Sequence, residues 1–146
     1  MTAFDWLDQI PENLGRRAKP RTRVGKAVKD GESERVIQRR IVKALRKLGI
    51  MVHHSPNASA MPGDRFAKVK QAAVLKADGM LAGFPDLLLV DRDGECAFME
   101  VKRPGGSLEA SQEAVLPKLR ARCPRVAVVT SLDEAMDALK RWGWLQ

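Results

Sequence analysis

Three ionisable residues stand out because they occur where buried strands are expected. Asp86 ends the run Gly83-Phe84-Pro85-Asp86, and Glu100-Val101-Lys102 begins 14 residues after it. A buried carboxylate or ammonium is costly unless it is paired or bound to a metal. Two carboxylates that converge on one point favour a hard divalent cation, and a lysine beside them could orient a water or offset phosphate charge. The alternative is a solvated strand face that carries an ordinary Glu–Lys pair.

The segment that contains these residues has the pattern of a β-hairpin. The apolar run Leu87-Leu88-Leu89-Val90 is bounded by a proline and a turn cluster, which is typical of a buried strand. The pair Asp93-Gly94 then signals a hairpin turn. Because side chains alternate between the two faces of a strand, Phe98, Glu100 and Lys102 are predicted to share one face. Ala97, Met99 and Val101 are predicted to share the other.

The composition favours a basic, globular protein with one domain. The chain has 146 residues, 45% of them apolar, and a net charge of +8, so it can build a core and favours a polyanionic partner. Nucleic acid and an anionic membrane surface both fit that charge. No apolar run is long enough to span a bilayer, and the N-terminus lacks the pattern of a secretory signal. Cys96, predicted in a core strand, and Cys123, at a helix end, suggest cytoplasmic thiols.

The first 31 residues differ from the rest of the chain. Residues 16–29 include seven basic residues and no acidic one, with Pro20 and Gly25 breaking any helical period. This pattern fits either a solvated charge run or an arm laid along phosphates. We therefore divide the chain into a basic N-terminal arm or linker, 1–31, and a domain, 32–146.

A first helix is predicted immediately after the arm. Ser33 is a suitable N-cap, Glu34 complements the helix dipole, and Gly49 stops the helix. The apolar stripe consists of Ile37, Ile41, Leu45 and Leu48, and the outer side carries basic residues that include Arg39 and Lys43.

A short strand over 50–54 and a second helix over about 66–76 follow. The strand contains His53 and His54, but adjacent strand residues face opposite ways and no third ligand supports a zinc site. We therefore do not assign these histidines to a metal. The second helix carries Lys68, Lys70 and Lys76, which could be a solvated face or could contact phosphate.

After the hairpin, the pattern predicts another helix, a strand and a last helix. Ser107 or Ser111 is the expected cap of the helix that contains Gln112. Pro117 inside it either argues against the helix or implies a kink. A buried strand over 126–130 follows, and Ser131 with Glu134 forms the pattern of a capping box. This order of elements predicts an α/β fold in which helices flank a central mixed β-sheet.

Taken together, these motifs resemble the VRR-NUC family, which belongs to the PD-(D/E)xK nuclease superfamily. The matching motifs are Glu34-x-x-x-Gln38, Gly83-Phe84-Pro85-Asp86, Glu100-Val101-Lys102 and Gln112 on the following helix. The loop around Asn57 and the approach from Lys76 to Gly83 also look like its small stand-alone members, many of them phage-borne. The resemblance covers about residues 32–142 and implies a restriction-endonuclease-like fold.

The resemblance also implies a Mg²⁺- or Mn²⁺-dependent deoxyribonuclease. Asp86 and Glu100 would bind the metal together with the backbone carbonyl of Val101, and Lys102 would act on the attacking water or the scissile phosphate. Glu34 would reach the metal directly or through water, and Gln112 would orient Lys102 or a phosphate. The residues expected to contact nucleic acid are Gln38, Arg39, Lys43, Asn57, Lys68, Lys76 and Arg103.

The small family members are similar to homodimeric nucleases that cut branched DNA. A homodimer acting on a four-way junction or a flap is therefore expected, without a membrane partner, in the cytoplasm or, if phage-encoded, in the host cytoplasm. One alternative is a non-catalytic nucleic-acid-binding module of the same fold. Another is a small basic regulatory or interaction protein, whose binding would depend little on salt.

Overall fold

The computed structural model of the protein describes residues 32–55 and 64–145. Within these residues helices and strands follow each other in the order that the sequence predicts. The elements are α1 Glu34–Lys47, β1 Met51–His54, α2 Arg65–Ala77, β2 Leu87–Val90, β3 Cys96–Val101, α3 Ala110–Arg120, β4 Val126–Val129 and α4 Leu132–Arg141. The basic arm over 1–31 and Asn57 lie outside the described residues.

The strands form one mixed sheet in the order β1-β2-β3-β4. β1 and β2 are antiparallel, β2 and β3 form the predicted antiparallel hairpin, and β3 and β4 are parallel. A parallel pair requires a crossover connection, which α3 provides. The predicted α/β class with a mixed sheet flanked by helices is confirmed.

The apolar core lies between the sheet and helices α1 and α4. On α1 the side chains of Ile37, Ile41 and Leu45 are buried at helical spacing, and they pack towards the sheet and α4. The face of β3 formed by Ala97, Met99 and Val101 is also buried, as the alternation predicts. β2 and β3 are the two central strands of the sheet.

Three local predictions are wrong. Leu48 was expected in the buried stripe but is 37% exposed, because α1 ends there and the chain turns at Gly49. Cys96 is exposed rather than buried, since it is the first residue of β3, next to the turn. The N-cap of α3 is Glu109, not Ser107 or Ser111, because Glu109 and Gln112 form the capping box.

Two other details of the helices concern proline and capping. α3 continues through Pro117 to Arg120, although proline removes a hydrogen-bond donor from the helix interior. At the start of α4, Ser131 Oγ accepts a hydrogen bond from Glu134 N at 3.2 Å. The Glu134 carboxylate accepts from Thr130 N at 2.6 Å, one residue before the cap.

Helix α2 differs from the other helices because it buries no side chain. On this helix Phe66 is 84% exposed, Val69 is 64% exposed and Val74 is also exposed. Leu81, which follows the helix, is exposed as well. In the described part of the chain no helix combines the length and apolar character that would be needed to span a bilayer.

Candidate active site

The sheet and α3 bring four buried polar side chains together, which are those of Asp86, Glu100, Lys102 and Gln112. Asp86 immediately precedes β2, Glu100 lies in β3, Lys102 follows β3, and Gln112 is on the first turn of α3. Among the described residues no other polar side chain is buried to this degree. The three residues that the sequence selected for chemistry therefore share one polar site within an apolar core.

Backbone amides of β3 and of the residue before β2 hold the two carboxylates. Since Leu87 pairs with Met99 in the antiparallel register, Asp86 lies level with Glu100. Val101 N donates to Asp86 Oδ2 at 3.0 Å, and Asp86 N donates to Glu100 Oε2 at 3.3 Å. Each acid is thus anchored by the main chain beside the other acid.

Two side chains donate to the second oxygen of Glu100. Lys102 Nζ lies 2.9 Å from Glu100 Oε1, and Gln112 Nε2 donates to the same oxygen at 2.5 Å. The Gln112 amide is itself oriented, because its Oε1 accepts a hydrogen bond from Glu109 N at 2.9 Å. α3 therefore begins with a capping interaction that also aims a donor at Glu100.

The environment shifts the acid–base behaviour of Glu100 and Lys102. Burial raises the pKa of Glu100 to about 7, with a further contribution from the charge of Asp86, although Lys102 opposes the shift. Burial lowers the pKa of Lys102, but the hydrogen bond and charge of Glu100, with the charges of Glu34 and Asp86, outweigh it and raise the pKa overall. Lys102 is therefore a cation at neutral pH.

The donor set of this site fits Mg²⁺ or Mn²⁺. No group of three or more His, Cys, Asp or Glu side chains is placed for a metal ion within residues 32–55 and 64–145. Mg²⁺ needs only one or two carboxylates, because waters and substrate phosphate complete its shell. Asp86 and Glu100 supply two carboxylates whose negative charges repel each other. A divalent cation between them would offset that repulsion.

The buried side-chain nitrogen and oxygen atoms of the site all have hydrogen-bond partners within the protein. Every buried side-chain nitrogen or oxygen in the described ranges has a hydrogen-bond partner. Val101 contributes its N–H to Asp86, and its predicted role as a carbonyl ligand stays a prediction. The carboxylate oxygens that a cation would use already accept hydrogen bonds from Lys102, Gln112 and backbone amides.

Glu34 lies at the rim of this site rather than within it. It is exposed at the start of α1, and its Oε1 accepts a hydrogen bond from Arg103 N at 3.3 Å. Its charge also helps to raise the pKa of Lys102. Glu34 is thus placed to hold the segment that follows Lys102, while its predicted contact with a metal stays a prediction.

A group of contacts that no sequence pattern predicts lies on the other side of Asp86. The backbone oxygen of Asp86 accepts a hydrogen bond from Ser55 N at 2.8 Å and lies 3.1 Å from His54 Nδ1. The same ring nitrogen lies 3.1 Å from Gln38 Nε2. Only the pairing of β1 with β2 brings His54 to Asp86, and no local pattern in the sequence signals that pairing.

The other residues predicted to contact nucleic acid lie on several elements. Arg39 and Lys43 are exposed on α1, Lys68 and Lys76 are exposed on α2, and Arg103 is exposed after β3. Gln38 is half-buried and contacts His54. Their contacts with nucleic acid stay predictions, as does that of Asn57, which is not among the described residues.

Comparisons with known proteins agree with this architecture. The family model of the VRR-NUC domain matches residues 32–133. A solved structure described as a VRR-NUC domain matches with a TM-score of 0.55 and 19% identity, covering 76% of this chain and 99% of that one. No curated protein matches the chain. The structural match shows a shared fold. The residues matched by the family model include the four buried polar residues of the site.

Proposed function

Because the chain belongs to the VRR-NUC family, we propose that it is a Mg²⁺- or Mn²⁺-dependent endonuclease that cuts branched DNA. Four-way junctions and flaps are the proposed substrates. The observation that carries the proposal is the buried cluster of Asp86, Glu100 and Lys102, in which Lys102 Nζ lies 2.9 Å from Glu100. Burying charged groups is costly, and clusters of buried, perturbed ionisable groups concentrate at functional sites.

Each residue of the cluster has a distinct proposed role. Asp86 and Glu100, with the carbonyl of Val101, would hold the cation, which when bound supplies Lewis-acid activation of the phosphate and of water. Lys102, kept cationic by Glu100, would offset the negative charge that develops on the scissile phosphate. Gln112 would keep Glu100 oriented through its hydrogen bond to Oε1.

Substitution of the three charged residues tests this proposal. Asp86→Asn, Glu100→Gln and Lys102→Ala should each reduce cleavage by about 10²-fold or more while DNA binding in EDTA is retained. The assay would use linear, flap and four-way DNA with Mg²⁺, Mn²⁺ or EDTA, and thermal melting would verify that each variant folds. Lys140→Ala is a suitable control, because Lys140 is exposed and pairs with Asp137.

The alternative of a non-catalytic DNA-binding module makes a different prediction. Binding of branched DNA would then occur without cleavage under any metal condition. If Lys102→Ala cleaved DNA at the wild-type rate, the proposed role of Lys102 would be refuted. Preference for linear over branched DNA would leave a nuclease but refute the proposed substrate.

We also propose that the protein is a homodimer that uses α2 as part of its interface. An isolated helix of 13 residues is marginal in water, and helices in proteins are stabilised mainly by burying an apolar face. α2 buries none of its side chains, and its apolar residues Phe66, Val69 and Val74 are exposed. A second copy of the chain would cover these residues and place two active sites about a two-fold axis.

Charge substitution on α2 tests the dimer. Phe66→Glu and Val69→Glu should convert a dimer into a monomer, because a carboxylate would be buried in an apolar interface. Gln71→Glu is the matched control, since Gln71 is exposed on the same helix. Sedimentation would measure the mass, and a wild-type protein that is monomeric at micromolar concentration would refute the proposal.

A further inference from the structure

We propose that His54 is a positioning residue that holds the Asp86 peptide through its Nδ1–H. The proposal rests on the function proposed above, since it concerns how Asp86 is presented to a metal. His54 is the last residue of β1, and its register partner is Leu87, the residue after Asp86. This pairing places His54 Nδ1 3.1 Å from the backbone oxygen of Asp86.

The proposed hydrogen bond requires one particular ring tautomer of His54. A backbone oxygen only accepts hydrogen bonds, so a ring nitrogen that bonds to it must carry the proton. In neutral imidazole the other nitrogen, Nε2, is then unprotonated. The side-chain amide of Gln38 can rotate so that its oxygen faces Nδ1–H, because the oxygen and nitrogen of an amide are assigned by their partners.

Asp86 is held both at its backbone oxygen and at its side-chain carboxylate. Its backbone oxygen receives Ser55 N at 2.8 Å and faces His54 Nδ1, so both acceptor positions of the carbonyl are used. Its carboxylate receives Val101 N from β3. His54 therefore links the orientation of the Asp86 peptide to β1, and through Gln38 to α1, while Val101 fixes the carboxylate.

The ring tautomer can be read directly by nuclear magnetic resonance. The chain has two histidines, so ¹⁵N-histidine labelling yields two ring systems, which His53→Gln would assign. At about pH 8 we expect the proton of the neutral His54 ring to lie on Nδ1. A predominantly Nε2-protonated ring of His54 would overturn the proposal, whether or not the protein cleaves DNA.

Conservative variants separate the two ring nitrogens. His54→Asn places an amide nitrogen where Nδ1 lies, and His54→Gln places one where Nε2 lies. Residues that orient metal ligands typically change metal affinity 10- to 100-fold when mutated. We expect His54→Ala and His54→Gln to weaken Mn²⁺ binding by about 10-fold and His54→Asn to retain it within about twofold. Free Mn²⁺ would be quantified by electron paramagnetic resonance, with His53→Asn as control.

The possible outcomes are distinct. Equal Mn²⁺ affinity of the alanine, glutamine and asparagine variants would overturn the positioning role. Loss of affinity in His54→Asn but not in His54→Gln would overturn it too, because it would assign the function to Nε2. A wild-type protein that binds no Mn²⁺ would refute the proposed nuclease site, and would also overturn the role of His54 in positioning a metal ligand. The tautomer would still show whether the hydrogen bond to Asp86 exists.

Discussion

At the scale of single residues, Glu100 is the residue that contacts each of the other three polar residues of the site. Its carboxylate is fully buried and receives hydrogen bonds from Lys102, Gln112 and the backbone of Asp86. Burial and the neighbouring Asp86 favour its protonated form, whereas Lys102 favours the charged form. The net result of these opposing effects is a raised pKa for Glu100.

The raised pKa of Glu100 predicts how the stability of the metal-free protein changes with pH. Between its ordinary value of 4.5 and about 7, the folded state binds more protons than the unfolded state. The free energy of unfolding therefore falls as pH rises through this window. In EDTA, wild type should lose up to about 3 kcal/mol relative to Glu100→Gln, measured by urea unfolding. A constant difference between the two proteins would contradict the shift.

Gln112 joins the active site to the start of α3, so its loss should be costly. Gln112→Ala removes one of the two donors to the buried Glu100 Oε1, where only Lys102 remains, and it also removes the acceptor for Glu109 N at the start of α3. We expect a loss of about 1–3 kcal/mol in the free energy of unfolding and a lower cleavage rate. Gln71→Ala, at an exposed position, should change stability by less than about 0.5 kcal/mol. Equal stability of the two variants would refute this role.

At the scale of elements, the site depends on the close packing of the loop before β2 against α3. Gly83 has a φ of +83°, and a Cβ built there would lie 2.2 Å from the backbone oxygen of Ser111 and 2.7 Å from Gln112 N. Backbone atoms of a helix cannot move aside easily. A glycine at this position therefore lets the segment that carries Asp86 approach the helix that carries Gln112.

Gly83→Ala should consequently disturb both the fold and the site. Gly94 is a matched control, because its φ is +81° but a Cβ there would meet nothing within 4 Å. Gly94→Ala measures the cost of the left-handed backbone alone, about 1 kcal/mol, and Gly83→Ala should exceed it by about 2 kcal/mol or more. Urea unfolding and cleavage would be measured together. If both variants lost a similar free energy of unfolding, the result would show that α3 can shift to make room for the added methyl group.

At the scale of the whole molecule, the net charge of +8 favours association with a polyanion. The exposed cations Arg39 and Lys43 lie one turn apart on α1, the helix that also carries Glu34 at the rim of the site. Exposed cations of this kind are suited to contacts with a phosphate backbone. Binding of that type releases counterions and weakens steeply with salt.

The salt dependence of DNA binding tests the contribution of α1. Arg39→Ala and Lys43→Ala should each reduce the magnitude of the slope of log Kobs against log salt concentration by about one. Lys140→Ala should leave the slope unchanged, because Lys140 is already paired with Asp137. Fluorescence anisotropy with labelled four-way DNA would measure the slopes. Equal slopes for all proteins would place the phosphate contacts elsewhere.

The sequence by itself determined the features that depend on local spacing. Helical periodicity located the stripe of Ile37, Ile41 and Leu45 on α1, and alternation with a turn signal located the hairpin of β2 and β3. The same alternation placed Glu100 and Lys102 on one face, where the structure pairs them. These predictions succeed because each element and the hairpin register follow from residues close together in the chain.

Only the tertiary structure decided which distant residues meet. His54 lies 32 residues before Asp86 in the chain, and Glu34 contacts Arg103 N across 69 residues. Whether Leu48 and Cys96 are covered also depends on neighbouring elements, and both predictions of burial were wrong. Such contacts depend on how strands pair and helices pack, which side-chain spacing within one segment does not specify. The candidate site residues could thus be picked out from local sequence, whereas the contacts that hold them in place depend on the assembled sheet.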